Sequence, residues 1–425
     1  MNGKKISEAL GLIGDRYIEE AAQYGPVEKG VRHWAAQYRP AKKRLWRWAA
    51  WGAAAACLAL AVWAGFEGLG VAARDPAQSG PSPSLPLLPG TWEERGAMGY
   101  EGYLAYDISE IVSANPWRED LSLTALPVYR NTLHYDEQYI PSGMDTKKMR
   151  AFLLDAAEKF GLDPNTLTVT DNAPDEEYKQ AVTEKLESVG ETVPEGMFDP
   201  TELCVEANGL KISVDEALTA RINFDPAVSL PDGLHFTHYA SYEEMAAVAE
   251  YLKTAYPSVL DHRSIQTNIS GGDYNIYAQN MYTISFFEGS GSAIEQIIAY
   301  NFHRTAFYCD DEGRLSLARI YGADLSDKVG DYPIISAQQA RELLVNGNYI
   351  TTVPYEMPGG EYIRKVELIY RVSHRDEYFM PYYRFYVEMP EGELENGLKD
   401  YGAYYVPAVD EAYLTGMPVW DGGFN

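Results

Sequence analysis

The longest apolar stretch of the chain runs from Trp48 to Phe66, which is 19 residues without a charged side chain. About 20 such residues form a helix that crosses a hydrocarbon core of roughly 30 Å. A surface helix of a soluble domain would carry a polar face, and a cleaved signal peptide would follow a shorter basic region. The pattern therefore predicts an uncleaved signal anchor, a transmembrane helix over residues 48–66.

The residues that flank this stretch predict its orientation. Lysine and arginine accumulate on the cytoplasmic side of membrane helices, and aromatic side chains accumulate at both interfaces. The basic residues that determine the predicted topology are Lys42, Lys43, Arg44 and Arg47. The predicted aromatic anchors are Trp48, Trp51, Trp63 and Phe66. We expect a single-pass protein of the cell membrane with a cytoplasmic N-terminus and an extracytoplasmic C-terminal domain.

Residues 1–47 are predicted to form a short cytoplasmic helical module. Gly11 and Gly14 weaken its middle, so one helix and two short helices fit the pattern equally. A segment this short cannot bury a core by itself, so we expect its apolar stripe to bind a cytoplasmic protein partner. The alternative is a cytoplasmic stub that binds nothing. The stripe, at helical spacings of four, three and four residues, is Ile6, Leu10, Ile13 and Tyr17.

A proline-rich stretch, "RDPAQSGPSPSLPLLPG", runs from Arg74 to Gly90. Prolines at this density favour an extended polyproline conformation and exclude a regular helix. Residues 67–97 are therefore predicted to be a stalk that separates the following domain from the bilayer.

From residue 98 onward the pattern alternates between helical and strand periods. "DTKKMRAFLLDAAEKFG" carries an apolar stripe, and "DEEYKQAVTEKLESVG" is polar enough to lie on the surface. Capping boxes open three further helices at Ser241, Ser292 and Ser336. Strand-like runs such as "LTARINF" and "YYRFYVEM" lie between the helices, and Gly313 predicts a hairpin turn in "CDDEGR".

This order of elements predicts an α+β fold in which extracytoplasmic antiparallel sheets carry packed helices. We expect three α+β units, over residues 98–230, 231–330 and 331–425. The complete predicted architecture is the short cytoplasmic helical module, one transmembrane helix, the stalk and these three units.

Charge is divided unevenly along the chain. Residues 1–47 hold 10 lysines and arginines against 5 aspartates and glutamates, whereas residues 48–425 hold 25 against 57. Such asymmetry is typical of an oriented membrane protein. The acidic body also argues against nucleic acid as a partner, because phosphate binding needs clustered lysine and arginine.

No pattern of reactive side chains indicates an enzyme, and we predict no catalytic, metal-binding or cofactor-binding residue and no cofactor. His235 and His238 would fall on opposite faces of a strand, and the chain has no H-E-x-x-H. Cys309 has no histidine near it in sequence. A disulfide between Cys204 and Cys309 and two unpaired thiols are both compatible with the sequence.

Tyrosine is the most abundant aromatic residue, with 33 copies. Alternation in strands such as "MPYYRFYVEMP" would place about half of these tyrosines on the solvent side of a sheet. Exposed tyrosines suit a recognition surface for peptide, glycan or protein. The alternative is that tyrosine covers a sheet and forms hydrogen bonds through its hydroxyl.

The N-terminal sequence, "MNGKKISEALGLIGDRYIEEAAQY" followed by "WAAWGAAAACLAL", resembles the N-terminal module of clostridial anti-sigma-factor-like membrane regulators. The body, with "GYEGYLAYDISEIV" and "YGAYYVPAV", resembles extracytoplasmic domains without a characterised function. "PIISAQQARELLVNGNYI", near residue 334, is similar to the start of PepSY-like units. The resemblance implies a sigma factor or another regulator as the cytoplasmic partner, and it implies no catalytic residue.

The sequence therefore predicts a single-pass regulatory or sensor protein, anti-sigma-factor-like, whose extracytoplasmic domain binds a ligand that the sequence does not identify. One alternative is a surface-displayed binding module without a regulatory role. A weaker alternative is an extracytoplasmic enzyme that acts on cell wall or peptide.

Overall fold

The computed structural model describes residues 85–90, 100–135, 141–194, 196–275, 277–372, 376–390 and 396–423 of the 425-residue chain. The predicted cytoplasmic module, residues 1–47, and the predicted transmembrane segment, residues 48–66, lie outside these ranges. Of the predicted stalk, residues 85–90 are described. They pack against the domain, because Leu88 is fully buried and its N–H donates to the Tyr413 carbonyl at 2.9 Å.

The described residues contain eighteen strands, and every ladder between them is antiparallel. In chain order they are β1 (Gly102–Ala105), β2 (Ala125–Arg130), β3 (His134–Tyr135), β4 (Pro141–Ser142), β5 (Thr170–Asp171), β6 (Glu202–Ala207), β7 (Leu210–Asp215), β8 (Thr219–Val228), β9 (Ile265–Tyr274), β10 (Asn280–Glu288), β11 (Arg304–Cys309), β12 (Leu315–Tyr321), β13 (Lys328–Pro333), β14 (Ile350–Thr351), β15 (Ile363–Tyr370), β16 (Tyr378–Phe379), β17 (Pro381–Met389) and β18 (Lys399–Pro407).

Five α-helices accompany the strands in the described part of the chain. The capping boxes predicted at Ser241, Ser292 and Ser336 are confirmed, because each serine side chain accepts a hydrogen bond from the third residue of its helix. The surface position of the polar second helix is also confirmed, since none of its residues is buried. The helices are α1 (Thr146–Lys159), α2 (Glu176–Ser188), α3 (Tyr242–Ala255), α4 (Ala293–Phe302) and α5 (Ala337–Val345).

The largest sheet consists of two antiparallel meanders joined at their last strands, in the order β5-β6-β7-β8-β12-β11-β10-β9. Strands β5 to β8 are the first meander, and strands β9 to β12 are the second meander. One face of the sheet is apolar and carries the cross-strand row Val205, Ile212, Ile222, Ala318, Phe307, Ile284 and Ile269. The neighbouring row on the other face carries Ser213, Arg221, Arg319, Ala306, Ser285 and Asn268.

Helices α1 and α3 cover the apolar face of this sheet. Met149 and Leu153 of α1 and Val248 and Leu252 of α3 are fully buried in the same core as the apolar row. Burial of a side chain of this size stabilises the fold by about 1.5–3 kcal/mol. The periodic stripe that predicted α1 is therefore the face that holds the helix on the sheet.

A second, five-stranded sheet has the order β1-β18-β17-β15, and β14 also pairs with β18. Helix α5 packs on one of its faces, and the small sheet of β13, β2 and β16 packs on the other. Both faces of β17 and β18 are therefore covered by other elements of the fold.

This double coverage buries the tyrosines of β17 and β18. Tyr382, Tyr383, Tyr404 and Tyr405 are each at most 4% exposed, so the expectation that half of these tyrosines face solvent is wrong. Their hydroxyls find partners inside the protein. Tyr383 donates to the Ile335 carbonyl at 2.7 Å, as the alternative interpretation of the tyrosines expects.

The predicted fold class needs a correction. The described residues are mainly antiparallel sheet, and no helix among them exceeds 14 residues. None of these helices is long and apolar enough to span a membrane. The physical reason is that the two longest, α1 and α3, are amphipathic and bury only the side that contacts a sheet. Within the described residues, stacked antiparallel sheets with five short helices therefore take the place of the predicted α+β units.

The predicted units of residues 98–230, 231–330 and 331–425 share strands in the structure. Strand β8 pairs with β12, so one sheet contains strands from the first two ranges. Strand β1 pairs with β18, so the second sheet joins the first range to the third. All described residues belong to one unit, Pro81–Asn425.

Candidate functional site

The second meander opens between β10 and β11. These strands form four residue pairs, and pairing ends at Ile284 and Phe307, although β10 begins at Asn280 and β11 continues to Cys309. Helix α4 joins the two strands in place of a tight turn. The strands therefore separate at the end away from α4, and the sheet has a gap there.

A cleft of about 400 Å³ includes this gap and extends to Tyr300 and Arg304 at the α4 end of the two strands. Its lining comes from β9, β10 and β11, from α3, α4 and the connection before α3, from β1 and β17 of the five-stranded sheet, and from the segment that follows β1. The lining combines apolar side chains, among them Phe236, Met245 and Met281, with the charged residues Asp273, Arg304 and Arg384. A preformed cleft of this size and mixed lining is typical of sites for small organic ligands.

A buried ion-pair network adjoins the cleft through Arg384 and Ser113, which line it. Glu367 on β15 lies directly opposite Arg384 on β17, and its carboxylate accepts a hydrogen bond from the guanidinium at 2.6 Å. The same carboxylate pairs with Lys365 at 2.8 Å and accepts from Ser113 at 2.9 Å. Burial would raise the pKa of Glu367, but Arg384 and Lys365 lower that pKa to about 2. Glu367 is therefore ionised and shared between two cations.

Two arginines line the cleft and are not fully paired by the described residues. Arg384 is 17% exposed, and its Nε has no hydrogen-bond partner among the described residues. Arg304 stacks on the Tyr321 ring at 4.8 Å and makes no ion pair within the described part of the chain. Tyr300 lines the cleft with both arginines; burial and the charge of Glu367 raise the pKa of Tyr300, and the charges of Arg384 and Arg304 oppose that rise.

The segment that follows β1 forms one wall of the cleft. Val112 exchanges two backbone hydrogen bonds with Gly271 of β9, at 2.9 and 3.2 Å. Gly272 has a φ of +97°, and a Cβ at this position would overlap the Glu110 carbonyl oxygen. Glycine is therefore needed here for the wall to approach the sheet.

Aromatic and sulfur-containing side chains surround the mouth of the cleft. Tyr282 lines the cleft and packs edge to face on Tyr242 at 5.8 Å. Tyr242 and Met281 are 47% and 44% exposed. A half-exposed tyrosine offers a large amphipathic contact to the apolar part of a ligand. Tyr242 and Tyr282 therefore suit recognition at the mouth of the cleft.

A cysteine, a histidine and an aspartate form a row beside the cleft. Cys309 Sγ lies 3.9 Å from His238 Nδ1, and His238 Nε2 lies 3.8 Å from Asp311 Oδ1. Burial raises the pKa of the Cys309 thiol, and the charges of Asp310 and Asp311 raise it further. A nucleophilic cysteine needs a lowered pKa, so this row lacks the electrostatics of a thiol catalyst.

The two described cysteines are both free thiols. Cys204 on β6 and Cys309 on β11 are four positions apart in the strand order. Neighbouring strands lie about 4.8 Å apart, so the two sulfur atoms are far beyond disulfide distance.

The predicted histidine pair lies in the connection between β8 and α3, and not in a strand. His235 and His238 are therefore not on opposite faces of a sheet, and His238 contacts Cys309 as described above. Within the described ranges, no group of three or more His, Cys, Asp and Glu side chains is placed to hold a metal ion.

The residues predicted to bind a partner or to anchor and orient the chain share one property, which is that they lie outside the described residues. They are Ile6, Leu10, Ile13, Tyr17, Lys42, Lys43, Arg44, Arg47, Trp48, Trp51, Trp63 and Phe66.

Sequence reasoning missed the charged residues of the cleft. Glu367 interrupts the apolar run "KVELIY", and Arg384 interrupts "YYRFYV". A charge inside an otherwise buried strand is a signal of a buried ion pair, because an unpaired charge there is very unfavourable. That signal could have identified both residues, although the pairing itself depends on the register of β15 and β17.

Two other cavities are less suited to a ligand. One of about 180 Å³ shares Arg304 with the cleft and is also lined by Lys148 and Asp324, whose side chains are paired at 2.6 Å. The other is an open groove of about 600 Å³ that contains His262 and His303. Burial lowers the pKa of both histidines, so neither ring favours its charged form there.

No family model and no curated protein matches this sequence. The function is therefore inferred from the cleft and from the sequence, and the resemblance to anti-sigma-factor-like regulators and PepSY-like units stays a prediction.

Proposed function

We propose that the described residues form the ligand-binding domain of a regulatory or sensor protein. The observation that supports this proposal is the cleft of about 400 Å³ at the point where β10 and β11 separate. It is preformed, it combines apolar walls with a few fixed polar groups, and its polar side is held in place by the Glu367 network. These are the general properties of small-molecule sites.

The regulatory part of the proposal rests on the sequence. We propose a cell-membrane protein with these residues on the extracytoplasmic side and with a cytoplasmic regulator, such as a sigma factor, as its partner. The division of charge along the chain and the resemblance of its N-terminal sequence support this assignment. A binding module without a regulatory role would use the same cleft. Deletion of residues 2–38 distinguishes these two functions. The deletion should change gene expression if the protein is a regulator, and it should not do so if the protein is only a binding module.

An enzymatic function has less support. The Cys309 row offers the most reactive side chains beside the cleft, and the raised pKa of the thiol disfavours the thiolate.

The ligand-binding proposal can be tested with the uncharged fluorescent probe N-phenylnaphthylamine and the purified full-length chain. Thr283 lines the cleft on an exposed position of β10, so Thr283→Tyr fills the cleft without disturbing the core. We expect the unmodified chain to bind the probe and Thr283→Tyr to weaken binding about tenfold, because the tyrosine occupies the space that the probe needs.

Thr170→Tyr is the matched control. Thr170 is also an exposed strand residue, but it lies on β5 at the opposite edge of the same sheet. Thr170→Tyr should bind the probe like the unmodified chain. Equal affinities of Thr283→Tyr and the unmodified chain, or no binding at all, would contradict the proposal.

A further inference from the structure

We propose that the cleft binds a small organic anion, that is, an apolar body with one carboxylate, phosphate or sulfonate group that contacts Arg304 and Arg384. This inference rests on the proposed ligand-binding function, and it adds the chemical class of the ligand.

The charge of the cleft is opposite to the charge of the body around it. Residues 48–425 carry 57 acidic against 25 basic side chains, whereas the cleft is lined by two arginines and one aspartate, Asp273. Asp273 is the single acidic residue of the lining and opposes two arginines. Glu367 does not neutralise the site, because it faces Lys365 as well as Arg384. A local positive potential in an acidic body attracts anions to this position.

The two arginines have the geometry that an oxyanion needs. A guanidinium group is a planar fork of N–H donors that matches a carboxylate or phosphate. Arg304 lies over the Tyr321 ring and Arg384 lies over the Tyr386 ring, at 4.8 and 5.2 Å. Stacking fixes the plane of each fork before a ligand arrives, which reduces the entropy lost on binding.

Arg304 is the residue best placed to bind an acceptor in the cleft. It lines the cleft and has no acidic partner among the described residues, so an anion there would accept hydrogen bonds from its guanidinium group. Arg384 lines the same cleft, and its positive charge would favour the anion at this position.

The remaining walls require an apolar body on the same ligand. Phe236, Phe307 and Met245 line the cleft and are each at most 2% exposed, and Met281 and Tyr282 extend the apolar surface to the mouth. An inorganic anion would leave these walls without contacts. The ligand class that fits both sides is therefore an amphipathic anion with a single charged end.

Two probes with the same ring system test this inference. Anilinonaphthalene sulfonate and N-phenylnaphthylamine share their aromatic body, and only the first carries a sulfonate. We expect the full-length chain to bind the anionic probe about tenfold more tightly, since hydrogen bonds to a charged group are stronger than those between neutral groups. Arg304→Gln should remove this preference, so that the two probes bind with similar affinities.

Arg221→Gln is the matched control for Arg304→Gln. Arg221 is an exposed arginine of β8 on the polar face of the same sheet, and it does not line the cleft. Arg221→Gln should keep the preference for the anionic probe. A second measurement needs no variant. Added sodium chloride should weaken the binding of the anionic probe more than the binding of the uncharged probe, because salt screens the charge.

The possible results distinguish the proposal that the cleft binds a ligand from the proposal that this ligand is an anion. Equal affinities for both probes, with Thr283→Tyr weakening both, would overturn the anion class and leave the ligand cleft standing. Binding that Thr283→Tyr does not weaken, or no binding of either probe, would overturn the cleft as a ligand site and the anion class with it.

Discussion

The β6–β7 pair of the first meander and the β10–β11 pair of the second meander differ in how their strands are connected. In the first meander, Asn208 and Gly209, with φ of +50° and +77°, form the two-residue turn between β6 and β7, and pairing continues along both strands. In the second meander, helix α4 replaces the turn between β10 and β11, and pairing stops after four residue pairs. A tight turn fixes the register of two strands from their first pair. The strands joined by α4 pair only near the helix, and they leave the cleft open at their other end.

The two regions also place cross-strand charge pairs differently. In the first meander, Glu206 and Lys211 lie opposite each other at 3.4 Å, with more than half of each side chain exposed. Beside the cleft, Glu367 and Arg384 lie opposite each other at 2.6 Å and are 5% and 17% exposed. The comparison indicates a division of roles. The first meander is stabilised by apolar packing, whereas the region around the cleft is also stabilised by the buried Glu367–Arg384 network.

The strongest test of this division is to break both pairs. Arg384→Gln should lower the free energy of unfolding by about 3 kcal/mol, because it leaves the buried Glu367 with Lys365 as its remaining cation. Lys211→Gln should change it by less than about 0.5 kcal/mol, because solvent already screens the exposed pair. Urea unfolding at neutral pH measures both values. Equal losses in the two variants would show that the regions do not differ in this way.

A smaller effect should appear when the pH falls. The pKa of Glu367 is about 2 in the folded protein against an ordinary value of 4.5. A lowered folded pKa stabilises the protein above pH 4.5, and this contribution is lost as the pH falls from 4.5 towards 2. We expect the unmodified chain to lose about 2 kcal/mol more than Glu367→Gln between pH 5 and pH 2.5.

Glu206→Gln is the corresponding control from the first meander. Because the Glu206 pair is exposed and contributes little, this variant should lose stability with acid as the unmodified chain does. The measurement is urea unfolding at a series of pH values. A Glu367→Gln variant with the same acid dependence as the unmodified chain would mean that Glu367 is not the group responsible.

The features predicted correctly from the sequence are local ones. A capping box depends on two residues three positions apart, so Ser241, Ser292 and Ser336 could be assigned without the fold. The hairpin turn at Gly313, which has a φ of +77°, is equally local. Such features give the positions of helices and turns, but they do not say which strands become neighbours.

The features that the sequence did not reveal depend on distant contacts. The tyrosines of β17 and β18 are buried because α5 and the β13-β2-β16 sheet cover both faces, and alternation within one strand cannot show this. The cleft depends on where the pairing of β10 and β11 ends, and the Glu367–Arg384 pair depends on register. The candidate site therefore became visible only in three dimensions.

The central claim is that a ligand binds between β10 and β11, and methionine methyl NMR tests it most directly. Met245 and Met281 line the cleft, whereas Met149 lies in the core beneath α1, against the first meander. In the full-length chain with labelled methionine methyl groups, N-phenylnaphthylamine should shift the signals of Met245 and Met281 and leave that of Met149 in place. A probe that binds without moving the Met245 and Met281 signals would contradict the account.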